Sequence, residues 1–211
     1  MITVRLYLLL VLLSFAQASF SQVNALTEYG EEIILYENGT WKYKNRELEE
    51  VEIKTNSKSF KKSKESTFLI KSNRFNIGFY INPEDWTFKK STTNEDAEYT
   101  LNYKDGDLYA MIITEKIEIP ILTLQGIALD NARKVAPDIE IVKQEYRMVN
   151  DLKVLFMQMD GTMKGVKFTY YGYYYSNEQG TVQFVTFTSQ NLLPEYRSLC
   201  DDLLNGMVIL D

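Results

Sequence analysis

Apolar and polar residues alternate with a period of two over much of this chain, and two stretches break that rhythm with a helical period. Near the start, residues 33–36 and 40–43 are short apolar-rich runs flanking Glu37, Asn38 and Gly39. They predict a hairpin, because an Asn-Gly pair best tolerates the positive φ that a tight hairpin turn demands. Asn38-Gly39-Thr40 also spells a glycosylation acceptor, although the turn chemistry already accounts for all three residues. Across 44–66 the periodicity disappears: Lys, Glu, Ser and Asn dominate, Gly and Pro are absent, and the segment reads as a charged, solvated linker. Its Lys54, Lys58, Lys61, Lys62 and Lys64 form a local basic run suited to a tether or to an anionic contact.

Alternation resumes near Phe68. Strands are predicted over 75–81 and 86–90, with Pro83-Glu84-Asp85 as the turn between them. Longer strands over 97–104 and 107–119 meet at Asp105-Gly106. Folding that hairpin places Ala97, Tyr99, Leu101, Leu108, Ala110 and Ile112 on a core face, with Glu98, Thr100, Met111, Ile113 and Glu115 on the other. Pro120 then opens a helix whose Ile121, Leu124, Ala128, Ala132 and Val135 recur at helical spacing until Pro137. Strands follow over 139–149, around 154–159, and over 166–175 and 181–188. A last helix carries Tyr196, Leu199, Cys200, Leu203, Leu204 and Met207 on one stripe and closes at Gly206. The predicted order is ββββαββββα, and the domain organisation is 1–21, 22–43, 44–66 and 67–211.

The first of those segments changes the picture of where the chain works. Arg5 precedes an apolar run over 6–16, and Ala16-Gln17-Ala18 supplies small residues for cleavage after Ala18 or Ser21. That order reads as a cleavable secretory signal, and the run is shorter than the roughly 20 residues of a spanning helix. The expected address is periplasmic or secreted, with no stable membrane insertion after cleavage. The only cysteine, Cys200, is far from the signal, so a lipid anchor is not expected and no internal disulfide can form.

The 211 residues carry a net charge of −6, 45% hydrophobic and 25% charged residues, the balance of a folded acidic protein with no attraction to nucleic acid. There is no histidine. Its absence removes Ser-His-Asp and Cys-His catalysis and the usual zinc sites. We therefore expect no catalytic residue, metal or cofactor.

The element order, the Asp105-Gly106 hairpin, the Pro120-led helix, the Pro83-Glu84-Asp85-Trp86 turn and the C-terminal helix together resemble the PsbP-like fold. That fold is shared by photosystem extrinsic proteins and DcrB-type envelope proteins. The resemblance covers about residues 68–211. It implies an α+β domain, an antiparallel sheet sandwiched by helices, in a family whose members mostly assemble, stabilise or bind. On this reading the chain is a non-enzymatic binding or assembly module of the bacterial envelope, with an unidentified protein or ligand as partner.

Three constellations are candidates for function. Tyr170 to Tyr175 form the densest aromatic run, and Tyr171, Tyr173 and Tyr175 share one face of the strand as a candidate binding surface. Glu98 and Glu115 are expected one diagonal step apart, which would suit a carbohydrate-active enzyme, the alternative reading. Cys200, flanked by apolar residues and by Asp201 and Asp202, reads as a core thiol, and Trp41 and Trp86 as packing anchors. A third reading is a structural subunit of an envelope complex.

Overall fold

The computed structural model describes residues 23–26, 32–36, 41–44, 53–92 and 96–210. The segment expected to be a signal, 1–21, and the expected Asn38-Gly39 turn lie outside these. The chain divides into two compact units, 1–51 and 52–211. In the first, β1 (Val23–Leu26), β2 (Glu32–Leu35) and β3 (Trp41–Tyr43) form an antiparallel sheet. Ile33 pairs with Tyr43 and Leu35 with Trp41, so the hairpin expected from the alternation is present, extended by a strand on the far side of β2.

The second unit is built on an eight-stranded sheet. Its strands are β4 (Thr55–Phe60), β7 (Trp86–Lys90), β8 (Ala97–Tyr103), β9 (Tyr109–Glu115), β10 (Glu140–Val149), β11 (Leu152–Met163), β12 (Val166–Asn177) and β13 (Gly180–Ser189). They lie in the order β4-β10-β11-β12-β13-β9-β8-β7, antiparallel except for β4 beside β10. A smaller sheet, β14-β6-β5, is formed by β5 (Phe68–Lys71), β6 (Ile77–Ile81) and β14 (Met207–Ile209). Among the described residues there are two helices, α1 (Ile121–Val135) and α2 (Leu193–Leu204).

This corrects the expected antiparallel sheet sandwiched by helices. Strands dominate, the large sheet is mixed, and one of its faces is covered largely by the small sheet together with α2. The reason lies in two segments without an apolar period. The basic segment expected to be a linker supplies β4, which is held by polar contacts: Asn56 donates to Glu145 at 3.1 Å, the Asn150 side chain accepts from the Lys62 amide at 3.0 Å, and Lys61 pairs with Asp151 at 3.0 Å. Such a lysine-bearing strand is suited to a sheet edge. At the other end, the last helix stops at Leu204, and Gly206 lets the chain turn back onto β6. A Cβ there would collide with the Tyr80 carbonyl, while Tyr80 donates its amide to Gly206 at 2.8 Å.

Each face of the large sheet has its own core. Phe79, Phe156, Tyr173, Phe184, Leu203 and Met207 lie in the core beneath α2 and the small sheet. Leu124, Ala128 and Ala132 of α1 meet Leu155, Met157, Met159 and Val185 on the opposite face. The β10–β11 turn places Asn150 and Asp151 at φ 47° and 70°, the pattern of a type I′ hairpin. Asn150 then donates to the carbonyls of Asn205 (2.7 Å) and Met207 (2.9 Å), joining the hairpin to the C-terminal strand.

Candidate functional site

The inward stripe of α1 is small: Leu124 is followed at helical spacing by Ala128 and Ala132. A helix with so little bulk on its inner side packs over β11 and β12 and leaves the neighbouring part of the sheet uncovered. A cleft results between α1 and the side chains of β9, β13 and β12. Its larger hollow, about 300 Å³, is bounded by Met111, Ala132, Met159, Tyr170, Tyr174 and Val185 among others. A second hollow of about 180 Å³ continues toward Glu115, Ile119 and Leu124. The two share Asp96, Ile113, Asn131 and Gln183, while Lys134 also lines the larger hollow and Thr181 the smaller. Beyond the larger hollow, an aromatic row runs across three strands: Tyr109 stacks on Phe187 at 5.5 Å, Phe187 meets Tyr170 at 6.0 Å, and Tyr170 meets Phe168 at 5.0 Å.

Tyr170 and Tyr174 are the tyrosines of β12 that face this cleft. Tyr174 is 1% exposed, and Tyr170 is half-buried. Burial pushes both phenols above their usual pKa, so they remain neutral and able to donate.

The expected surface of Tyr171, Tyr173 and Tyr175 is corrected. Strand alternation turns these three toward the α2 core, where Tyr171 and Tyr173 are 2% and 0% exposed and Tyr175 is half-buried against the same core. Tyr171 donates to Asp201 at 2.7 Å and Tyr173 to Asn205 at 2.9 Å. Between them lies Arg147, 4% exposed, with its guanidinium 3.8 Å from the Phe156 ring centroid. Arg147 donates to Glu145 (2.7 Å), Asp201 (3.1 Å) and the Tyr173 hydroxyl (3.2 Å). Burial pushes the Tyr173 phenol up to about 12 against the opposing pull of Arg147. Burial also opposes ionisation of Glu145, but its bonds from Arg147 and Asn56 prevail and hold it below the usual carboxylate range. The alternate tyrosines, Tyr170 and Tyr174, face α1 instead.

The expected carboxylate pair is not formed. A bulge between Ala97 and Tyr99 moves Ala97, rather than Glu98, opposite Ile113. Glu98 then meets Thr114, which belongs to the other face of β9 from Glu115. It accepts from Ser72 (2.7 Å), from the backbone and side chain of Asn73 (2.6 and 3.0 Å), and from Thr114. Burial raises its pKa, but these bonds outweigh burial and hold it below the usual range, the state of a structural acceptor rather than of a general acid. Glu115 instead lines the smaller hollow.

Cys200 is fully buried, and burial pushes its thiol up to about 11, so it is a core residue. Trp86 is buried beside Tyr103 at 5.8 Å, and Trp41 is half-buried. Among the described residues no group of three acidic or cysteine side chains could hold a metal ion, and no helix is long and apolar enough to cross a membrane. The cleft itself had one legible signal, the alanine stripe of α1. The sequence did not show which strand residues lie opposite it.

No protein-family model matches the chain, and no curated protein matches it. Among solved structures it is similar to cyanobacterial PsbP (CyanoP) from Synechocystis, with a TM-score of 0.51 and 11% identity over 67% of this chain and 91% of that one. This likeness shows a PsbP-like fold. Two more distant likenesses are PA94, a protein of unknown function from Pseudomonas aeruginosa (TM-score 0.44, 11% identity, 68% and 97% covered), and LpqN of Mycobacterium tuberculosis, described as involved in cell envelope biogenesis (TM-score 0.46, 10% identity, 68% and 90% covered).

Proposed function

We propose that this chain is an exported, non-enzymatic binding module of the bacterial cell envelope, and that it takes its ligand in the cleft between α1 and the sheet. The observation that carries the reading is the cleft's composition: an apolar lining of Met111, Ala128, Ala132, Met159 and Val185 with a few polar groups, Asn131, Lys134 and Gln183 among them. The signal-like segment 1–21 supports export to the periplasm or beyond. The separation of Glu98 from Glu115, and the saturation of Glu98 by structural hydrogen bonds, favour binding over hydrolysis.

Native mass spectrometry of the protein isolated from its own envelope fraction tests this directly. The reading expects a chain shortened by 18 or 21 residues that carries an additional small mass, lost in Met111→Trp, whose indole would fill the larger hollow. An unprocessed chain would overturn the export claim. A bare chain, or a bound mass that persists in Met111→Trp, would overturn the cleft as the site.

A further inference from the structure

We propose that β7, the outermost strand at one end of the large sheet, is a docking edge for an extended acidic segment of a partner protein, which adds to the sheet as a further strand. The proposal is separate from the cleft and holds whether or not the cleft carries a ligand.

The main chain supplies the first argument. Among the described residues β7 has one neighbour in the sheet, β8. At the two ends of the strand, Asp85 accepts from the Lys104 amide at 2.9 Å and Ser91 donates its amide to Glu98 at 3.1 Å. Bonded and non-bonded pairs alternate along an antiparallel ladder, so Thr87 and Lys89 also turn their main-chain groups toward β8, while Phe88 and Lys90 turn theirs outward. Thr87 to Lys90 are exposed without interruption. The outward N–H and C=O groups thus face solvent, and an added strand would take them up.

The side chains supply the second. β4, the opposite edge, exposes Thr55, Ser57, Lys58 and Ser59 and no large apolar residue, the usual protection against unwanted pairing. β7 instead exposes Phe88 at 40%. Its ring lies 5.3 Å from that of Phe68, itself 44% exposed on β5 at the edge of the small sheet. The two rings form an apolar step beside the open main chain, and a large side chain of an added strand would cover both.

Charge defines the partner. Lys89 and Lys90 are exposed on opposite faces of the strand, Lys90 on the face of Phe88. Glu98, on the neighbouring strand, is committed to Ser72, Asn73 and Thr114. A strand laid against β7 sets its side chains level with the lysines on both faces, so acidic residues flanking one aromatic or aliphatic side chain complete the edge. A second copy of this chain fits less well. β7 paired antiparallel with itself about Phe88 sets Lys89 against Thr87 and Lys90 against Trp86, with no acid opposite either lysine.

The test uses the full mature chain and short end-capped peptides of alternating threonine and valine around one phenylalanine, with glutamate, glutamine or lysine flanking it. The glutamate peptide should bind about fivefold more tightly than the glutamine peptide at low salt, with the gap closing as salt rises, and the lysine peptide should bind weakest. Lys89→Glu combined with Lys90→Glu, at two exposed positions, should reverse this order. In the free chain the amides of Thr87 and Lys89 should exchange slowly and those of Phe88 and Lys90 fast, and saturation with the glutamate peptide should slow the second pair. N-methylation of alternate peptide amides should abolish binding in one frame and spare it in the other. Phe88 and Lys90 amides that stay fast with every peptide, or a ranking that the charge reversal leaves unchanged, overturn the proposal. Slow exchange of those two amides without peptide, quickening on dilution, would place a second copy on the edge and overturn the partner assigned here.

Discussion

Replacing Arg147 by methionine is the sharpest test of how the α2 side of the sheet is held. Arg147 links β10 to α2 and β12 through Glu145, Asp201 and Tyr173, and its side chain is 5% exposed, against 16% for Glu145 and 31% for Asp201. Methionine retains much of the stem that packs on Phe156 but leaves two carboxylates without their cation. Breaking a fully buried pair in this way costs about 3–5 kcal/mol. Asp201 is nearly a third exposed and can rehydrate, while Glu145 keeps its bond from Asn56, so the lower end, about 3 kcal/mol, is expected. Against a typical total of about 5–15 kcal/mol that is a large loss, visible as a fall in the urea midpoint at constant slope. Adding Glu145→Gln to Arg147→Met should recover part of the loss, because it removes one of the stranded charges. A loss below about 1 kcal/mol for the single variant, or a double variant less stable than the single, would refute the assignment of this cluster as a mutually compensated buried network.

Other outcomes follow from the same geometry. Tyr171→Phe removes a phenol bonded to Asp201 and should lower stability by about 1 kcal/mol, read by urea unfolding. Glu98 and Glu145 are held below their usual 4.5, so the stability they contribute is present above that pH and lost as pH falls through their folded values. Thermal melts should therefore decline below about pH 4.5, and Glu98→Gln should flatten that decline while lowering the melting temperature at pH 7. Gly206→Ala places a methyl against the Tyr80 carbonyl and should release β14 from β6, read as fast amide exchange at Tyr80, with a loss of several kcal/mol.

Much of the second unit was legible because its elements obey a simple period. The alternation over 97–115 and 139–189 predicted β8 to β13, and the spacing of Leu124, Ala128 and Ala132 marked the buried stripe of α1. β4 was not legible, since an edge strand held by Asn56, Asn150 and lysine contacts carries no apolar signature. The bulge beside Glu98 was invisible for a related reason: one extra residue shifts the facing of all that follows, and nothing in Ala97-Glu98-Tyr99 marks it. For the tyrosine run, alternation gave the two sets correctly, but which set faces a crowded core depends on α2 and the small sheet, elements distant in sequence. The cleft joins α1 to β9, β12 and β13, and it exists because of what the alanines of α1 do not fill.

The central claim, that this cleft is where the protein binds, is tested most directly by methyl NMR of the mature chain labelled at methionine and titrated with a whole extract of the cell envelope. Met111 and Met159 line the larger hollow, while Met148 and Met163 are exposed elsewhere, at 37% and 40%. The account predicts that Met111 and Met159 shift while Met148 and Met163 hold still. Shifts confined to Met148 and Met163, or a spectrum unchanged by the extract, would contradict it.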